Sequence, residues 1–118
     1  MSAHDISVHA EMMPLPAPQL KSTSLDGQLE SFVDIWVSSD GAIEAGVWEC
    51  TAGTFTASRD RYDEVCTVVS GTATVTASDG AVTELSPGTV FVTPAGWTGT
   101  WTVHSTLRKT YVIRNLPT

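Results

Sequence analysis

An antiparallel all-β sandwich or barrel is the fold this sequence predicts, and three features say so. Short runs rich in valine and threonine recur along most of the chain, as in "SFVDIWVS", "TATVTA" and "TVFVT". β-Branched and aromatic residues of this kind suit a pleated, half-buried surface. Turn signals separate the runs, including Asp40-Gly41, Ala52-Gly53, Gly71, Ser86-Pro87-Gly88 and Pro94-Ala95-Gly96. No segment sustains a 3.6-residue apolar repeat, so no helix is expected.

Residues 1–27 predict an N-terminal arm. The stretch "MMPLPAPQLKSTSLDG" has three closely spaced prolines, then polar residues closing on Asp26-Gly27, with no periodicity. Residues 28–118 predict a single domain. Its strands are "SFVDIWVS", "AIEAGVWEC", "DEVCTVVS", "TATVTA", "AVTEL", "TVFVT", "WTGTWTV" and "LRKTYVIRN". Ser78-Asp79-Gly80 joins the fourth to the fifth as a tight hairpin.

Two strands separate their faces by alternation. In the last, Leu107, Tyr111 and Ile113 share one face with Lys109, while Arg108, Thr110 and Arg114 share the other with Val112. In residues 99–104, Gly99, Trp101 and Val103 point inward, and Thr100, Thr102 and His104 point outward. One lysine is thereby placed inside and one histidine outside.

The chain has 118 residues, enough for one core and too few for two. Hydrophobic residues make up 42% and charged residues 16%, the balance of a folded globular chain. Thirteen acidic residues against six basic ones give a net charge of −7. That sign argues against nucleic acid and against an anionic membrane surface, since both need basic patches. No apolar run approaches the ~20 residues that cross a bilayer as a helix. The start, "MSAHDISVHAEMM", has neither the basic end nor the apolar centre of a secretory signal, so a cytoplasmic location is expected. Cys50 and Cys66 then read as reduced, buried thiols. A homodimer is expected, because sheet edges need cover and Phe32, Ile35 and Trp36 offer apolar surface beyond what a small core uses.

Two spaced motifs carry a family resemblance. The first ends in Glu64, "VCTVVS", Gly71; the second runs Gly88, "TVFVT", Pro94-Ala95-Gly96. With "GVWECTAGTF", "GWTGTW" and the closing "RKTYVI", the chain resembles a small single-domain cupin over about residues 41–114. Within the cupins it resembles the family that includes (S)-ureidoglycine aminohydrolase and the ethanolamine-utilisation proteins. The resemblance implies a jelly-roll barrel, a double-stranded β-helix. It also implies a metal held by two histidines spaced H-x-H, a glutamate three or four residues later, and a histidine in the second motif. Counting back from Glu64 puts the first pair at Ser58 and Asp60, or at Ala57 and Arg59; neither frame supplies histidine. The second-motif position is Gly99. A first-row metal needs about three or four convergent donors. Glu64 with Asp60 makes only a weak fallback, so no cofactor is expected.

The remaining candidates each have two readings. Glu64 is either a hydrogen-bonded carboxylate at the barrel mouth or a pocket anion that binds substrate or acts as a base. Lys109 either pairs with it inside or extends to solvent. Tyr62 or Tyr111 would supply a further hydrogen bond to the pair. Trp48, Trp97 and Trp101 fill the core and rim or line a ligand, and Trp101 is placed to fill the space left at Gly99. Cys66 shares the inward face of Glu64 and reads as a core thiol unless a cation activates it. His104 reads as a surface histidine, and His4 and His9 lie in the arm.

The expected function is metal-free binding of a small polar metabolite in a pocket near Glu64 and Lys109, with Cys66, Trp101, Tyr111 and Trp48 around it. Two other readings stand beside it. One is an enzyme of nitrogen or carbohydrate metabolism related to ureidoglycine aminohydrolase. The other is an accessory module for assembly.

Overall fold

The structure is a computed structural model that describes residues 3–118. Among these residues there are eight strands and no helix, and no helix is long and apolar enough to cross a membrane. The strands are β1 (Gln19–Leu20), β2 (Leu29–Val37), β3 (Ile43–Cys50), β4 (Gly53–Ser58), β5 (Tyr62–Ala77), β6 (Val82–Leu85), β7 (Val90–Thr93) and β8 (Thr98–Asn115).

β5 and β8 carry the architecture. Each is long enough to belong to two sheets, and they pair antiparallel along nearly their whole length, from Tyr62↔Asn115 to Ala77↔Gly99. The first half of β5 and the second half of β8 form one sheet with β3, β2 and β1 on one side and β7 on the other. The second half of β5 and the first half of β8 form the other, between β6 and β4. All these pairings are antiparallel. The two layers close face to face as a jelly roll.

The turn expected at Gly71 is absent, and so is the break before Leu107. Both strands run through, with register shifts between Val68 and Ala73. Gly71 adopts φ +84, and a Cβ there would stand 2.1 Å from the Thr106 carbonyl oxygen. Glycine is the residue that tolerates both the left-handed backbone and the close strand. A bulge bends a strand without ending it, and here the bend carries the pair from one layer to the other.

The core lies between the layers. Cys50, Cys66, Val68, Leu107 and Tyr111 come from one sheet; Phe55, Ala73, Val75, Leu85, Trp101 and Val103 come from the other. Phe55 and Trp101 are register partners on β4 and β8, and their rings stack at 5.7 Å and 18°. Val112, the apolar residue placed on the polar face, is exposed, and His104 lies outside.

Part of the stretch before residue 28 joins the barrel. β1 pairs with β2, and Arg108 donates hydrogen bonds from Nη1 to the Ala10 and Met13 carbonyls, drawing that segment across the outer face. Lys21, just after β1, reaches inward.

Candidate functional site

Glu64 lies near the start of β5 on the inward face and is buried, with relative exposure of 6%. Lys109, opposite Trp48 on β3 and Val68 on β5, comes in from β8. Its Nζ donates to Glu64 Oε2 at 2.7 Å. The ammonium is also held between two indoles, 4.5 Å from the Trp101 ring centre and 4.6 Å from that of Trp48. A desolvated ammonium between two π faces gains attraction that water would otherwise supply.

A second cation completes the arrangement. Arg59, at the turn between β4 and β5, is as buried as Lys109, and its Nη2 lies 3.6 Å from Glu64 Oε1. Its Nε donates to Thr93 Oγ1 at 2.9 Å and its Nη1 to the Tyr62 hydroxyl at 3.4 Å. The rings of Tyr62 and Trp97 flank the guanidinium, at 5.7 and 5.8 Å. The inward frame of the first motif is therefore Ala57 and Arg59. Ala57 packs against the core, whereas Ser58 and Asp60 are exposed.

Burial by itself pushes the Glu64 carboxyl up. The charges of Lys109 and Arg59, the hydrogen bond from Lys109 and the charge of Lys21 outweigh it, so the group sits below its ordinary 4.5. Stability drawn from ionised Glu64 is thus fully present above pH ~4.5 and is lost as pH falls through the lowered folded value. Acid titration followed by urea denaturation should show stability falling in that window, with a shallower slope for Glu64→Gln. Identical slopes in the two proteins would refute the linkage.

Neither tyrosine bonds to the pair. Tyr111 donates to Asp34 Oδ1 at 2.6 Å; burial, then this hydrogen bond, raise its phenol, which stays protonated. Tyr62 contacts Arg59 and the Ser58 carbonyl instead. Trp48 donates from Nε1 to Glu30 Oε1, which also accepts from Lys21 Nζ. Cys66 is buried beside Glu64. Burial raises its thiol and the pull of Lys109 does not overcome it, so it is a protonated core residue. Cys50 is likewise pushed up, to about 11, by burial.

Two chambers flank the Glu64–Lys109 pair. One, of about 190 Å³, is lined by Asp34, Glu44, Tyr111 and Ile113 as well as by the pair. The other, of about 240 Å³, is lined by Lys21, Phe55, Arg59 and Tyr62 with the pair. Trp48 borders both. Trp101 is fully buried in the core and lines neither.

The metal implied by the resemblance does not fit these residues. Both oxygens of Glu64 face cations, and Asp60 lines an outer groove with Arg61 and Leu116. Among the described residues no group of three or more His, Cys, Asp or Glu is placed to hold an ion. The space beside Gly99 is filled by Trp97, not by Trp101 as its position suggested. A Cβ at Gly99 would lie 2.6 Å from both the Trp97 ring and the Thr76 carbonyl oxygen. Gly99→His should accordingly cost about 1–3 kcal/mol through overpacking and bind no metal. Zinc raising the melting temperature of that variant would contradict this.

Arg59, Lys21, Glu30, Asp34 and Glu44 went unnamed as site residues from sequence. For Arg59 a signal existed, since it occupies a first-motif ligand position. Lys21 sits in the stretch without periodicity and carried no signal.

Two layers sharing two long bent strands, with a glutamate of the first motif facing the interior, define a cupin barrel. The chain belongs to the EutQ-like cupin domain family, whose pattern matches residues 37–111. No curated protein matches it in sequence. Among solved structures, a DUF861-family protein of unknown function from Pseudomonas syringae superposes with TM-score 0.75 at 16% identity, over 87% of this chain and 45% of that one. This chain therefore spans less than half of that protein. The EutQ protein of Clostridium difficile superposes with TM-score 0.64 at 23% identity, over 82% and 80% of the two chains. Ectoine synthase from P. lautus gives TM-score 0.69 at 17% identity, over 97% and 80%. At these identities the likeness is one of fold.

Proposed function

We propose that this protein is a metal-free cupin that binds a small polar metabolite inside the barrel, beside the Glu64–Lys109 pair. The observation that carries this reading is a buried ion pair with a chamber on either side. Taking two charges out of water is costly, and a pair buried for stability alone is often replaceable by apolar residues. A pair that borders open volume keeps polar groups available to a guest. Binding, not nucleophilic chemistry, is proposed because Cys66, the thiol nearest the pair in sequence, packs in the core and lines neither chamber.

The test is a thermal-shift survey of small anionic, neutral and cationic metabolites against the wild-type protein and Glu64→Gln/Lys109→Met. A ligand present at 100 times its Kd stabilises the folded state by about 2.7 kcal/mol. At least one compound should raise the wild-type melting temperature and leave the double variant unmoved, with EDTA changing neither. A wild-type protein indifferent to the whole survey, or one stabilised only after metal is added, would end this proposal.

A further inference from the structure

The chambers beside the Glu64–Lys109 pair differ in sign. On the side facing β2, Glu30, Asp34, Glu44 and Glu64 stand against Lys109. On the other side, Lys21, Arg59 and Lys109 stand against Glu64. A cavity lined by three cations and one carboxylate runs against the net charge of −7 carried by the chain. Asp34 and Glu44 lie across the pair, in the acidic chamber.

The three cations are not equally satisfied. Lys21 meets Glu30 at 3.0 Å, and Lys109 meets Glu64 at 2.7 Å. Arg59 comes no closer to Glu64 than 3.6 Å, and the hydrogen bonds it does make go to the neutral hydroxyls of Thr93 and Tyr62. A guanidinium carries five N–H donors in a planar fork. Here the fork is more than nine-tenths buried and held by flanking rings. Among the described residues it has no carboxylate at hydrogen-bond distance. A fork in that state suits a planar, singly charged, two-oxygen acceptor.

We propose that the basic chamber is an anion site and that its ligand is a small organic monocarboxylate, bound to the Nη groups of Arg59, neither of which has a carboxylate at hydrogen-bond distance, with the Lys109 ammonium beside it. This rests on the metabolite-binding reading above and assigns the ligand's charge and orientation. One negative charge matches the ion pairing: Lys21 is matched by Glu30 from the acidic side, while Arg59 and Lys109 share the single carboxylate of Glu64, which leaves one positive charge over. Phe55 and Trp48 also line the chamber, with the Lys21 ammonium 4.5 Å from the Phe55 ring centre, so a ligand's charged end is met by cations on that side as well.

The test is isothermal titration of the full chain with propionate, its neutral isostere propionamide, propylamine, malonate and inorganic phosphate, each at millimolar concentration. Chemical shifts of the indole N–H groups of Trp48, on the chamber wall, and of Trp97, which flanks the Arg59 guanidinium, are followed in parallel. Propionate should bind and move the indole signals, and propionamide should not. Arg59→Gln should weaken propionate about tenfold or more, as loss of a charged hydrogen-bonding partner does. Arg59→Lys keeps the charge but loses the fork; it should also weaken binding, and it guards against a Gln variant that does not fold. Preference for propylamine or propionamide would overturn the anion site and leave the metabolite-binding reading standing. Preference for phosphate or malonate would overturn the monocarboxylate assignment. Failure of all five probes, with a barren thermal survey, would sink both readings.

Discussion

Replacing Lys109 with methionine is expected to lower the stability of the fold by about 3–5 kcal/mol, because a carboxylate is left in the interior without its nearest counter-charge. Glu64→Met should cost a similar amount, leaving both Lys109 and Arg59 unpaired. The double replacement should cost clearly less than the two singles together, since apolar residues in both positions owe no desolvation. It will not be neutral: Arg59 loses its only approach to a carboxylate among the described residues. Urea denaturation of the four proteins gives the coupling directly. Single effects that simply add, within about 0.5 kcal/mol, would show that Glu64 and Lys109 act independently despite the 2.7 Å contact.

Trp101 is the other position where a large loss is expected. Its ring stacks on Phe55, meets Phe91 edge-on at 5.8 Å, and covers one face of the Lys109 ammonium. Trp101→Ala removes a fully buried ring from a closed core and should cost about 3–5 kcal/mol. Trp101→Phe should cost much less. Phenylalanine retains an aromatic face toward Phe55 and Lys109. It also removes the indole Nε1–H, a buried donor without a partner among the described residues. An unsatisfied buried donor costs about 1–3 kcal/mol, so its removal offsets part of the lost volume. Equal losses for Ala and Phe would mean that a smaller aromatic ring does not suffice and that the indole itself, its Nε1–H included, is required.

Alternation by itself determined a good deal about this protein. The inward face of β8 was readable because side chains alternate along any strand, whatever it packs against. Leu107, Tyr111 and Ile113 therefore pointed Lys109 to the interior. The same reasoning put Glu64 and Cys66 on one face and His104 outside. The two motifs implied the barrel, and their missing histidines argued against a metal before any geometry was known.

What alternation cannot reach is the position of residues outside regular strands. Arg59 stands in a turn, where no period assigns a direction, and it faces Glu64 only because β4 and β5 enter opposite layers of one barrel. Lys21 and Glu30 are further apart in sequence from Lys109 than any local rule extends; pairing of β1 and β2 at the sheet edge brings them in. Gly71 read as a turn because a left-handed glycine serves turns and bulges alike, and only the neighbouring strand at Thr106 decides between them. Alternation pointed to Trp101, two residues beyond Gly99 on the same face, as the filler of the space there, and Trp97 fills it instead. The Trp97 ring stands 2.6 Å from where a Gly99 Cβ would be, a contact that exists only once the strands are packed. The division of the interior into an acidic and a basic chamber is likewise a property of the closed barrel, since its charges come from several strands and turns far apart in sequence.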